Sequence, residues 1–85
     1  MARFALVNND QEVEQVIVVA NDDCGGGHFP ESEPIGQAFI ASLGLTGLWL
    51  QTSYSGSFRG QYAGPGMIYD AKLDQFIYPP ANEIA

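Results

Sequence analysis

The sequence predicts an α+β fold that is mainly β: a small antiparallel sheet of two hairpins plus one central strand, with one short helix packed on it. Three observations predict it. Residues 1–20 hold two alternating runs around the turn-forming triplet Asn8-Asn9-Asp10, the second dense in β-branched Val and Ile. Residues 34–43 repeat apolar side chains at helical spacing. Residues 47–80 carry the only Trp, all four Tyr, Phe58 and Phe76, in an apolar–polar rhythm broken by Gly-rich turns.

The first strand is RFALVN, with Phe4 and Leu6 on one face and Ala5 and Val7 on the other. Short Asn and Asp side chains bond their own backbone, so residues 8–10 turn the chain into a second strand, EVEQVIVVA. Its start is expected to be wet on one face, where Val13 stands between Glu12 and Glu14. Its end, Val16 to Val19, is apolar on both faces and is expected to be covered twice.

Residues 21–33 form an acidic loop, because three consecutive glycines have no side chains to pack and the most backbone freedom to lose. A helix over residues 34–43 follows, with Pro34 in its first turn and Gly44 as its left-handed terminator. Ile35, Phe39 and Leu43 are the face expected to lie on the sheet. Leu48, Leu50 and Thr52 then alternate with Trp49, Gln51 and Ser53 in a third strand that ends at Tyr54. After a loop at 55–60 and a bend at 62–66, residues 67–69 and 75–78 make the second hairpin, with Asp70 and Asp74 at the ends of its loop. Pro79-Pro80 ends the pairing, and residues 81–85 are a frayed or docking tail.

At 85 residues the chain is one domain, spanning 1–85. Folding a chain of this size buries roughly 60% of its unfolded surface, which leaves stability marginal unless something staples the fold. One cysteine, Cys24, excludes an intramolecular disulfide, and no zinc-ligand spacing is present. Association with other chains is the remaining device, so a multimeric assembly is expected. Ten acids against three cations give a net charge of −7, which repels phosphate and argues against nucleic acid and anionic membrane as partners. No secretory signal is read in MARFALVNND, and no apolar run reaches the length of a bilayer span.

No catalytic, cofactor or metal residues emerge. Asp22, Asp23, Cys24 and His28 are all possible ligands, but they match neither zinc pairs nor a calcium loop. Gly25-Gly26-Gly27 lacks the Lys and Ser/Thr of a phosphate loop. Cys24 with His28 lacks an orienting group and a rigid frame for nucleophilic catalysis. The aromatic set is different. Ten aromatic side chains exceed what so small a core can hide, so some must be exposed or seated in a partner. Trp49, Tyr54, Phe58, Arg59, Tyr62 and Tyr78 are the candidate interface anchors, since Trp, Tyr and Arg dominate interface energetics.

Trp49-Leu50-Gln51-Thr52-Ser53-Tyr54 reads W-x-Q-T-S-Y, followed by Tyr62-Ala63-Gly64-Pro65-Gly66, Tyr69-Asp70, Asp74, Phe76 and Pro79-Pro80. With the opening R-F-A-L-V-N-N and E-Q-V-I-V-V, this resembles a family of small structural proteins of marine bacteriophages, especially cyanophages. The likeness covers about two thirds of the chain. The chain departs from that pattern in a shorter loop at 55–60, in Gln61 and Met67, in an inserted stretch at 24–33 and in lacking a Trp-containing C-terminal extension. The resemblance implies a non-enzymatic virion protein docked on a larger lattice, either as capsid decoration or in the tail, neck or baseplate. Its partners would be major capsid or tail proteins, and its location the virion, with host cytoplasm before assembly. The alternative from the charge is a soluble acidic phage factor that imitates nucleic acid to inhibit a basic host protein.

Overall fold

The computed structural model describes residues 1–79. The expected tail at 81–85, and Pro80, lie outside the described residues.

The α+β class is as expected, and the strands divide between two sheets. β1 (Ala2–Val7), β2 (Val13–Val19) and β3 (Leu48–Thr52) form an antiparallel sheet in the order β2-β1-β3. β4 (Ile68–Asp70) and β5 (Gln75–Ile77) form a separate two-stranded sheet. The central strand is therefore β1, not the Trp-bearing β3, which is an edge. β1 is the segment apolar on both faces along its length, apart from Arg3, and the middle of a sheet covered on both sides needs that.

The β1–β2 turn is built as its residues predict. Asn8 Oδ1 accepts from the N–H groups of Asp10 (2.8 Å) and Glu12 (3.0 Å). Glu14 is an extra residue in β2, since Leu6 pairs with Gln15 while Val7 pairs with Val13. Beyond this bulge the outer edge of β2 is occupied at its start: Val13 N donates to Met67 O, Gly66 N donates to Val13 O and Tyr69 N donates to Gln11 O. These bonds tie the second sheet to the first. The bend that delivers it is a type II turn, with Pro65 followed by Gly66 at φ 91° and Met67 N bonded to Gly64 O.

The alternation of β1 sends side chains into two cores. Ala2 and Phe4 join Val19, Cys24, Ile40 and Trp49 under the helix. Ala5 and Val7 join Val13, Leu50, Ala63, Met67 and Phe76 on the opposite face, under the second sheet. Three layers result. Residues 21–33 are not an open loop: Asn21–Cys24 is a short 3-10 turn that drives Cys24 into the first core.

α1 spans Ser32–Ser42, and Gly44 adopts φ 84° beyond its end as predicted. Its buried face is only in part the expected one: Phe39 packs half-buried against the helix-side core, but Ile35 and Leu43 do not. Ser32, Gly36 and Ile40 are buried, whereas Leu43 is 58% exposed and Ile35 is also exposed. The helix is turned by one residue, about 100°. The reason is close approach. Gly36 lets the helix backbone rest on the Phe4 ring, and a Cβ there would strike that ring and lie 3.0 Å from Cys24 Sγ. The turn also aims Glu33 and Gln37 at the edge of β3.

That edge is closed by side chains. Gln37 Nε2 donates to Trp49 O (2.6 Å), Gln51 N donates to Glu33 Oε2 (2.8 Å), and Arg59 Nη1 donates to Gln51 O (3.0 Å). Among the described residues no such side-chain bonds close the second half of β2. Val18 there is 50% exposed, so the expectation that residues 16–19 are covered on both faces fails at its apolar end.

Candidate interaction surface

Two constellations are built from the predicted anchors, one internal and one on the surface. The internal one centres on Arg59, whose side chain is only 9% exposed. Its Nε donates to Asp74 Oδ1 (2.8 Å), its Nη1 to Glu33 Oε2, and its Nη2 to Glu33 Oε1 (3.2 Å). The guanidinium lies 5.1 Å from the Phe29 ring centre and 5.9 Å from that of Tyr69. Burial alone would lower the Arg59 pKa, but the bonds and charges of Glu33 and Asp74 outweigh it and hold the group above its ordinary range. Tyr69 OH donates to Asp74 Oδ1 at 2.5 Å. Burial, then that bond, push Tyr69 up to about 12. The same Tyr69 bond, then Arg59, hold Asp74 below its ordinary value.

Arg59 is thus a junction of helix, β3 edge and second hairpin. Its assignment as an interface anchor is corrected by this geometry, since each guanidinium nitrogen already has a partner inside the fold. Phe58 does not stack on it. Phe58 lies flat on Phe29, with ring centres 3.9 Å apart and planes 2° apart. Trp49 is corrected as well: it is 4% exposed in the helix-side core, with Nε1 donating to Thr46 O (3.2 Å).

The surface constellation sits at the same end of the sheet, one register step beyond Gln51, on the face away from the helix. β1 places Arg3 between Val18 of β2 and Thr52 of β3. Just past β3, Tyr54 lies over Arg3, with its ring centre 4.7 Å from the guanidinium carbon. Tyr62 meets Tyr54 edge-on at 5.2 Å and stands 6.0 Å from Arg3. Thr52 fixes the Tyr62 segment by accepting from Ala63 N (2.9 Å). Tyr54 is 71% exposed, so most of its ring faces solvent. Tyr78 is 68% exposed but stands apart from these contacts. Of the six predicted anchors, Tyr54 and Tyr62 come together, Tyr78 stays at the surface, Trp49 and Arg59 belong to the interior, and Phe58 is half-buried against Phe29. Sequence reasoning missed Arg3 and Val18. Their signal was the cross-strand register of a hairpin already predicted, which sets them side by side.

A cleft of about 300 Å³ lies elsewhere, lined by Met1, Cys24, His28, Phe29 and Phe58 among others. Burial, and next the charge of Asp23, push the Cys24 thiol up, which disfavours the thiolate a nucleophile needs. Among the described residues no three His, Cys, Asp or Glu side chains cluster as metal ligands, and no helix is long and apolar enough to cross a membrane. Compared with protein-family models, curated proteins and solved structures, the chain matches none.

Proposed function

We propose that this protein is a non-enzymatic bacteriophage virion component that docks onto a larger protein lattice through the Arg3–Tyr54–Tyr62 surface. The observation that carries the reading is Tyr54, a large ring held outward over a cation that has no carboxylate partner among the described residues. Tyr and Arg anchors of this kind, stiffened before contact, lose little side-chain entropy on binding. The resemblance of the W-x-Q-T-S-Y and Y-A-G-x-G segments to marine phage structural proteins supports a virion as the setting. Tyr54 is the last residue of the first of these segments and Tyr62 the first of the second.

Mass spectrometry of purified particles tests the proposal. A fixed copy number per particle is expected, in the hundreds for capsid decoration and in the range of six to a few dozen for tail, neck or baseplate, by the order of magnitude that closed symmetric assemblies allow. Absence from particles, with soluble protein in infected cells, overturns it in favour of the acidic inhibitor.

A further inference from the structure

We infer that β2 is a self-association edge, through which two copies of this chain join their three-stranded sheets antiparallel about a two-fold axis at Ile17. Hydrogen-bond parity decides which backbone groups of β2 face outward. Gln51 N and O and Trp49 O point away from β1, so Leu48, Leu50 and Thr52 are the β3 residues bonded to Val7, Ala5 and Arg3. Ala2, Phe4 and Leu6 then bond toward β2, to Val19, Ile17 and Gln15. The backbone groups of Val16 and Val18 therefore face outward, and among the described residues nothing bonds to them.

The two edges of this sheet are treated oppositely. β3 is closed by Glu33, Gln37 and Arg59. β2 carries none of the usual guards over residues 15–19: there is no Lys, no Pro and no inward charge, and among the described residues no backbone pairs with its outer edge there. The bulge at Glu14 and the Gly66–Met67 backbone on Val13 stop pairing before that stretch, which fixes where a new strand can lie. Residues 15–19 read Gln-Val-Ile-Val-Val and hold no charge, so a basic peptide finds no carboxylate there and an uncharged β-branched strand fits.

The chain supplies such a strand in β2 itself. Centring on Ile17 pairs Val16 with the second copy's Val18 in both directions, so both outward N–H and C=O pairs are satisfied. Glu14 then lies opposite Ala20 of the other copy, and within the paired stretch of residues 14–20 no two carboxylates oppose each other despite the charge of −7. A parallel arrangement would align Glu14 with Glu14. The isologous antiparallel pairing is therefore favoured.

Sedimentation of the purified protein across concentration and salt tests this. A reversible dimer is expected, tightening as salt screens the repulsion between two acidic copies. Val18→Lys, a half-exposed position given the guard natural edges use, is expected to weaken the dimer by about tenfold or more. Ile17→Cys is expected to cross-link to itself on oxidation while Val18→Cys does not, because only residue 17 faces its own copy at a close, non-hydrogen-bonded pair. A monomer at all concentrations overturns the inference, as does a dimer that Val18→Lys leaves intact or whose cross-link runs through residue 18. None of these readouts needs a particle, so they stand or fall separately from the virion reading.

Discussion

Arg59 is one of only three cations in the chain, and the fold binds it to three elements that are remote in sequence. Removing it leaves Gln51 O without its donor and the Glu33 carboxylate without its counter-charge, held only by Gln51 N. Arg59→Ala should lower stability by roughly 3 kcal/mol, the low end for breaking a buried ion pair because Asp74 and part of Glu33 still reach water. Arg59→Lys should recover only part, since an ammonium cannot reproduce the fork. Urea denaturation of both variants checks this. The linked groups also predict two pH limbs. Asp74 is depressed in the fold, so its contribution is present above its ordinary value of 3.8 and is lost as pH falls through the lowered one. Tyr69 is raised, so its contribution is whole below pH 10 and is lost as pH rises from there to about 12. Tyr69→Phe should remove the Tyr69 part of the alkaline limb of a stability–pH profile, leaving what the raised Cys24 thiol contributes, and should soften the acid limb. Little of this was legible in the sequence. Arg59 and Glu33 are 26 positions apart, and no local pattern joins them. What could be read locally was the turn chemistry, and Asn8 and Asp70 do cap their turns through side-chain oxygens.

The helix shows how a correct element can carry an incorrect face. Periodicity finds apolar residues, and Ile35, Phe39 and Leu43 are the larger ones. The packing instead selects the small positions: Gly36 admits the Phe4 ring beneath the backbone, and Ser32 donates to Gln51 Oε1 (2.7 Å). Two substitutions separate the faces. Ile40→Ala should cost about 2–5 kcal/mol as a large-to-small core change, while Leu43→Ala should stay within about 0.5 kcal/mol as a surface change. Gly36→Ala should destabilise by about 1–3 kcal/mol through overpacking, although Ala is the better helix former. Thermal melts of the three variants decide between the two faces. The strands themselves were legible because alternation and β-branching are local. Their division into two sheets was not, since it depends on where Gly66 and Met67 meet Val13.

Across the whole molecule, the charge and the aromatic residues divide the work. The acids discourage non-specific contact with other anions, and both faces of the main sheet are filled, yet Val18, Ile35, Leu43, Leu48 and Leu73 still stand exposed, as do Tyr54 and Tyr78. Composition showed that some aromatics must be exposed but not which ones. Burial of Trp49 and the stacking of Phe58 on Phe29 remove two candidates, and the register at Arg3 singles out Tyr54 and Tyr62. Because Tyr54 projects outward, Tyr54→Ser should change stability by no more than about 0.5 kcal/mol. Its effect belongs to docking, where losing a central aromatic anchor costs on the order of 2 kcal/mol or more. The most direct measurement is therefore the copy number of Tyr54→Ser in particles assembled with that variant in place of the unmodified chain. The account predicts a loss of about tenfold or more at unchanged soluble level and melting temperature. Full incorporation of the variant would contradict it.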